Sequence, residues 1–191
     1  MLTRKPRAVD AGFWEERIAA AVAWRDRLRP AATAYRLIHA EADGMPSLFV
    51  DRYGPYLVVQ VLSAGLEQFR ADILAGLRNV LAPAGILARN DTAIRALEGL
   101  AQDVELLHGE VPRHIEVQEA GVRYLAAPWT GQKTGAFLDQ RENRSRSRDF
   151  AGDTALDCFS FHGGFALHLA RAGARVTAVD SSEEAVARGR E

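Results

Sequence analysis

The chain has 191 residues, 48% hydrophobic and 26% charged, with a formal net charge of −1. That balance describes a folded globular protein and excludes a chain basic enough to grip nucleic acid over its whole surface; a local basic face stays open. The single cysteine excludes an internal disulfide framework and fits a reducing compartment, and no apolar run approaches the roughly 18 residues of a membrane span. Met1 to Pro6 carries charge without an apolar core, so it does not read as a secretory signal, and a cytoplasmic location is expected.

Residues 13–28 place Trp14, Ile18, Ala21, Val22 and Leu28 near helical spacing, which predicts a helix stopped by Pro30. From Tyr35 the period shortens. Tyr35–Ala40, Ser47–Asp51 and Tyr56–Leu62 read as strands, with Gly44-Met45-Pro46 and Tyr53-Gly54-Pro55 as turns. A helix from about Leu66 to Leu81 buries Phe69, Ile73, Leu77 and Leu81 and stops at Pro83. Gly85–Arg89, Val104–Leu107, Ile115–Gln118 and Arg123–Ala126 complete the strands, Glu119-Ala120-Gly121 turning the last pair. This order predicts an N-terminal helix and connector over residues 1–34 and a central α+β domain over 35–127.

Pro128–Gly135 reads as a loop and Asp139 to Phe150 as a helix. Thr154–Phe159 is then a strand, Gly164–Arg171 a helix closed by Gly173, and Arg175–Val179 a second strand. Ser181 with Glu184 forms the capping box of a last helix. A β-α-β run of about 35 residues is the minimal parallel crossover. The fold class expected is therefore α/β: the central α+β domain followed, over 128–191, by the start of a Rossmann-like domain.

The stretch Leu156-Asp157-Cys158-Phe159-Ser160-Phe161-His162-Gly163-Gly164-Phe165, with Asp180 further on, carries the site chemistry. Open parallel sheets bind ligands beyond the carboxyl ends of their strands. Gly163 and Gly164 stand at that end and let a ligand approach backbone N–H groups, while Asp180 can accept two hydrogen bonds from a ribose diol. A dinucleotide needs three spaced glycines to seat its pyrophosphate. Here the glycines are adjacent and Asp157 adds negative charge, which suits the amine and sulfonium of S-adenosylmethionine. An ordinary strand-to-helix turn with a plain helix-start acid remains the other reading.

The segment before it, Trp129-Thr130-Gly131-Gln132-Lys133-Thr134-Gly135-Ala136-Phe137-Leu138-Asp139-Gln140-Arg141-Glu142-Asn143-Arg144, sets many polar groups beside glycines. It suits a flap over a bound anion or carboxylate, with Lys133 as a point charge, Thr134 and Gly135 as backbone contacts and Arg141 as a bidentate clamp. Arg141, Arg144 and Arg148 recur at helical spacing with Arg146 nearby, a basic face on which Arg146 and Arg148 read as solvated.

These two motifs, in this order, resemble the class I rRNA cytosine-C5 methyltransferases that act on 23S rRNA. Tyr35-Arg36-Leu37-Ile38-His39-Ala40-Glu41-Ala42-Asp43-Gly44-Met45-Pro46, Val50-Asp51-Arg52-Tyr53-Gly54 and Arg95-Ala96-Leu97-Glu98-Gly99-Leu100 add to the likeness, which runs from about Phe13 to the end. The resemblance implies a PUA-type RNA-binding domain, a central α+β domain and a Rossmann-like methyltransferase domain. The chain is then expected to begin at the tail of the first and to break off early in the third. In the family the glycine turn usually reads Phe-Ser-Tyr-Thr-Gly-Gly-Phe; Phe161 and His162 stand here in place of the tyrosine and threonine.

The set expected to bind the donor is Lys133, Thr134, Gly135, Phe137, Asp139, Arg141, Asp157, Phe159, Ser160, His162, Gly163, Gly164, Asp180 and Ser181. His162 stays open between ligand contact and tolerated turn residue. The implied cofactor is S-adenosylmethionine and the implied substrate is 23S ribosomal RNA; no membrane partner is expected, and a homodimer is left open. Methylation at C5 needs a cysteine thiolate to add at C6 and a base to remove the C5 proton. Cys158, inside the first strand, is expected to be packed and inert, so no catalytic residue is assigned and the nucleophile is expected from a later loop. The five histidines show no metal-ligand spacing and no metal is expected. Residues 153–191 are expected to be marginally stable alone and the chain to have little activity by itself. A structural or RNA-contacting module with a vestigial half-site is the other reading kept; a nicotinamide-dependent oxidoreductase is disfavoured by the missing third glycine.

Overall fold

The computed structural model describes residues 2–3, 6–28 and 31–191; Met1 and the expected helix stop at Pro30 lie outside them. Contacts divide the chain into two compact units, Met1–Pro30 with Tyr35–Arg113, and Ala31–Ala34 with His114–Glu191.

The first unit begins with α1 (Ala11–Leu28), opened by the Asp10 carboxylate, which accepts a hydrogen bond from the Phe13 N–H at 3.0 Å. There follow β1 (Ala34–His39), β2 (Leu48–Tyr53), β3 (Tyr56–Val61), α2 (Ala64–Glu67), α3 (Arg70–Leu81), β4 (Gly85–Arg89), α4 (Ala93–Leu97) and β5 (Val104–Gly109). The five strands form one sheet in sequence order. β2 and β3 make an antiparallel hairpin closed at Tyr53↔Tyr56, β3 and β4 run parallel, and β4 and β5 are antiparallel.

Two departures from the sequence reading have local causes. The single helix expected over 66–81 is two, because Phe69, at φ −100° and ψ 9°, leaves the helical region; its ring lies 5.6 Å from that of Trp14. The five-residue α4 is too short to show a period. It is held by buried Arg95, which donates to the carbonyls of Val61 and Ala101 and to Glu67. Phe13, Trp14, Ile18, Leu37, Ile38, Leu57, Ile73, Leu77 and Ile86 form the apolar centre of this unit, essentially closed to solvent. Helix α1, the N-terminal helix expected before residue 34, packs on α3 within that unit.

In the second unit, residues 31–33 run along β6 (Ile115–Glu119): the Thr33 N–H donates to the Gln118 carbonyl at 2.9 Å and Ala32 bridges Glu119. β6 pairs with β7 (Val122–Ala126), and after an irregular loop come α5 (Arg141–Ser147), β8 (Thr154–Cys158), α6 (Gly164–Arg171), β9 (Arg175–Val179) and α7 (Glu183–Gly189). β8 and β9 are parallel from Thr154↔Arg175 to Cys158↔Val179, as the β-α-β reading requires. Gly173, at φ +104°, closes α6: its N–H bonds the Ala170 carbonyl and the Ala174 N–H bonds that of Leu169.

Here too the structure corrects the sequence reading. The hairpin 115–126 groups with the C-terminal residues, so the division falls at 113/114 instead of near 127. The helix expected over 139–150 is α5 flanked by a 3-10 turn at each end. The cap of α7 is Ser182, whose Oγ accepts from the Ala185 N–H at 3.3 Å; the expected box at Ser181 and Glu184 is displaced by one residue and lacks its reciprocal carboxylate. Cys158 is exposed, not packed, and Leu156 and Val179 are 64% and 52% exposed, because little covers the faces of the β8–β9 pair among the described residues.

Candidate functional site

The turn between β8 and α6 is built from unusual backbone. The Ser160 N–H reaches the Val179 carbonyl at 3.0 Å, carrying the parallel ladder one step beyond β8. Phe159 and Phe161 then adopt φ of +61° and +52°, and Gly163 follows at +83°. Only Gly163 does so without steric cost; each phenylalanine pays about 1–2 kcal/mol for a left-handed conformation. Phe159 recovers nothing by burial, since its ring is 92% exposed. Gly164 answers a different constraint: a Cβ there would sit 2.9 Å from the Cδ of Arg144.

Two carboxylates flank this turn. Asp157 Oδ2 accepts from the Ala166 N–H at 2.9 Å and so caps α6, whose own N-cap residue is Gly163. Burial, with the charge of Asp180 added, raises the Asp157 carboxyl above its usual range against that hydrogen bond. Asp180 accepts from the Ser182 N–H at 2.8 Å and the Phe161 N–H at 2.7 Å, bonds that lower its carboxyl. Carboxylate oxygens have lone pairs beyond those these N–H groups use, so the pair can take hydroxyl or ammonium donors. Ser181, beside Asp180, is exposed, and Ser160 is buried.

The loop over residues 131–140 meets the turn through Phe137, whose ring packs edge-on to that of Phe161 at 5.4 Å. Lys133 and Arg141 do not stand as bare cations. The Lys133 Nζ lies 2.7 Å from Asp139 Oδ1 and 4.5 Å over the Phe137 ring, and the Arg141 Nε lies 3.0 Å from Glu142 Oε1. These pairings outweigh burial and lower both acids. Gly135, expected to offer its backbone outward, spends it inward: its N–H donates to Gln132 and its carbonyl accepts from the Ala127 N–H. Thr134 is buried. The bidentate anion clamp expected at Arg141 is thus closed on Glu142 in this structure.

His162 is a packed ring. It is 4% exposed, 4.7 Å from the Tyr124 ring, and among the described residues neither ring nitrogen has a hydrogen-bond partner. Burial, reinforced by Arg144 and Arg188, holds its pKa down to about 4.

A buried polar cluster went unseen in the sequence. Arg144, assigned to a basic face, donates through Nε and Nη2 to Glu119 at 2.8 and 2.6 Å, with both side chains closed to solvent. His168 Nδ1 accepts from Arg148 Nε at 3.0 Å, so its proton sits on Nε2 and points to Glu119 at 3.2 Å. Arg148, expected to be solvated, also donates to the Ala120 carbonyl. Burial alone would raise the Glu119 carboxyl; hydrogen bonds from His168 and Arg144 overcome it and hold the pKa at about 2. The available signal was the alternation of β6, where Ile115, Val117 and Glu119 share the buried face: an acid on an apolar face requires a cation.

Among the described residues no group of three or more His, Cys, Asp or Glu side chains could hold a metal ion, and no helix is long and apolar enough to cross a membrane.

No family model matches the chain. Among curated proteins it is 41% identical over 184 residues to "Ribosomal RNA large subunit methyltransferase I" of Klebsiella pneumoniae, and 39% identical over 183 residues to the protein of that name from Pseudoalteromonas atlantica. Each match covers 94% of this chain and 46% of the relative. Among solved structures, SMU.776, a protein described as a methyltransferase and complexed with SAH, superposes with a TM-score of 0.85 at 25% identity, over 100% of this chain and 50% of that one. The chain therefore spans about half the length of the proteins it matches. Its homologues are large-subunit ribosomal RNA methyltransferases, and its mixed α/β fold, with a Rossmann-like β-α-β unit, is one shared with SAM-dependent methyltransferases.

Proposed function

We propose that this chain carries the donor half-site of an S-adenosylmethionine-dependent methyltransferase that acts on large-subunit ribosomal RNA, at C5 of a cytosine in 23S rRNA. The observation that carries the reading is the pair Asp157 and Asp180 on either side of the left-handed turn, each already oriented by backbone N–H groups. Asp180 accepts the ribose hydroxyls. Asp157 attracts the cationic end of the donor, and a diphosphate is repelled by both. When bound, the donor supplies an electrophilic methyl group on a sulfonium. Phe159 presents an exposed ring beside it, and Phe137 with Lys133 closes over the Phe161 side of the turn.

No residue of this chain is assigned as nucleophile or base. Cys158 is exposed, at the C-terminal end of β8, and is given no role in the chemistry. The homology to ribosomal RNA methyltransferases supports the substrate; the sequence resemblance supports the cytosine C5 position, which requires the thiolate chemistry of a separate loop.

Isothermal titration calorimetry with S-adenosylhomocysteine and with NAD tests the reading. S-adenosylhomocysteine alone should bind, and Asp180→Asn should weaken it about 10- to 100-fold, as expected for losing hydrogen bonds to a charged group. Binding of NAD alone overturns the reading. Binding of neither favours a structural or RNA-contacting module.

A further inference from the structure

We infer that Arg144 is a positioning residue for this site: anchored on Glu119, it holds the 131–140 loop and the first residue of α6 in register with each other. The inference rests on the donor-site reading above and adds to it the part that sets its geometry.

Arg144 touches three elements at once. Its Nε and Nη2 fork onto Glu119 at the end of β6, its Nη1 donates to the Phe137 carbonyl at 2.8 Å, and its Cδ would stand 2.9 Å from a Cβ on residue 164, closer than such atoms approach. A planar guanidinium can hold a carboxylate and a carbonyl in fixed directions together; an ammonium cannot. Glu119 is equally committed. Oε1 accepts from Arg144 and His168, Oε2 from Arg144 and the Tyr124 hydroxyl. Both partners are closed to solvent and every oxygen of the carboxylate is engaged, which favours a single geometry for the anchor.

What the anchor holds leads to the ligand side by direct contact. The Phe137 carbonyl is fixed by Arg144, the Phe137 ring packs on Phe161, and the Phe161 N–H holds Asp180. On the other side Arg144 lies against Gly164, two residues before Ala166, whose N–H orients Asp157. Both carboxylates of the proposed site thus depend on the place of one side chain that need not touch the ligand.

The test is calorimetric titration of the full chain with S-adenosylhomocysteine, comparing Arg144→Lys, Glu119→Gln and, as a control on the same helix, exposed Arg146→Lys. Stoichiometry and affinity separate the two roles. A residue that only stabilises the fold lowers the fraction of competent protein and leaves Kd unchanged. A positioning residue raises Kd at unchanged stoichiometry, here by about 10- to 100-fold for Arg144→Lys, the scale of a misplaced binding group, with Arg146→Lys as wild type. Should Arg144→Lys not fold, Glu119→Gln decides, since it keeps the shape of the anchor and removes its charge. Folded variants that bind within about twofold of wild type overturn the inference while leaving the donor site standing. A wild-type chain that does not bind S-adenosylhomocysteine overturns the donor site itself, and the inference with it.

Discussion

In the unit built on the five-stranded sheet, Trp14, Ile18, Leu37, Ile38 and Leu57 are closed off from solvent against α1 and α3. The unit carrying Asp157 and Asp180 has a smaller buried apolar set, centres its interior on Glu119, Arg144 and His168, and leaves Leu156 and Val179 open. The first, despite buried charges such as Arg95, gains most from apolar area, which is indifferent to protonation and screened little by salt. The second relies on charges whose worth depends on every partner being present and in the right protonation state. A binding site that needs carboxylates beside N–H groups is more readily held by such directional contacts than by an oily core, which packs by volume and not by direction.

The largest expected effect sharpens the contrast from the apolar side. Leu57→Ala should cost about 2–5 kcal/mol, read as a lower denaturation midpoint, with little dependence on pH between 4 and 8, since it leaves a cavity and no charge. Peptide-resolved hydrogen exchange should place the loss in the first unit.

Acid should act on the second unit. The Glu119 carboxyl is lowered from 4.5 to about 2 on folding, so its contribution is complete above the unfolded value and is lost as pH falls from about 4.5 through 2. His162 is lowered from 6.5 to about 4, so the unfolded chain takes up its proton first and stability falls as pH drops from about 6.5 through 4. Each window is worth on the order of 3 kcal/mol. His162→Leu should flatten the upper window and hold or raise stability at pH 7, because it removes two buried nitrogens that have no hydrogen-bond partner among the described residues. An unchanged slope between pH 6.5 and 4 in that variant would show that another group titrates there.

Phe159→Asn separates fold from function. Asparagine tolerates the left-handed region, and the ring it replaces is exposed, so the variant should gain roughly 0.5–1 kcal/mol while binding S-adenosylhomocysteine less tightly. The smallest effect belongs to Asp139→Asn. Its pair with Lys133 is half open to water and should be worth under about 1 kcal/mol in thermal unfolding, fading as salt is added.

The residues speak for themselves wherever the cause is local. The shortening of the period after Tyr35, the Tyr53-Gly54-Pro55 turn, the parallel β8-α6-β9 unit and the acids at its strand ends all follow from neighbours a few residues apart, where side-chain periodicity and backbone sterics act. The short α4 and the break at Phe69 escaped because long-range contacts, Arg95 to Val61 and Phe69 to Trp14, select them over local propensity. The fate of the charges was likewise beyond local reasoning. Lys133 and Arg141 look the same as free or paired cations in a string of letters, and Arg144 looks like any residue on a solvated helix.

Only the folded chain brings Glu119 to Arg144 and His168, 25 and 49 residues away, and turns three polar residues into one buried anchor. The chain order alone determined the ingredients of the proposed site, because a glycine turn and two strand-end acids are set by short-range geometry. Where each charge ends, in water or in a partner's grasp, was decided by tertiary packing, because the cost of burying a charge depends on what the rest of the molecule places beside it.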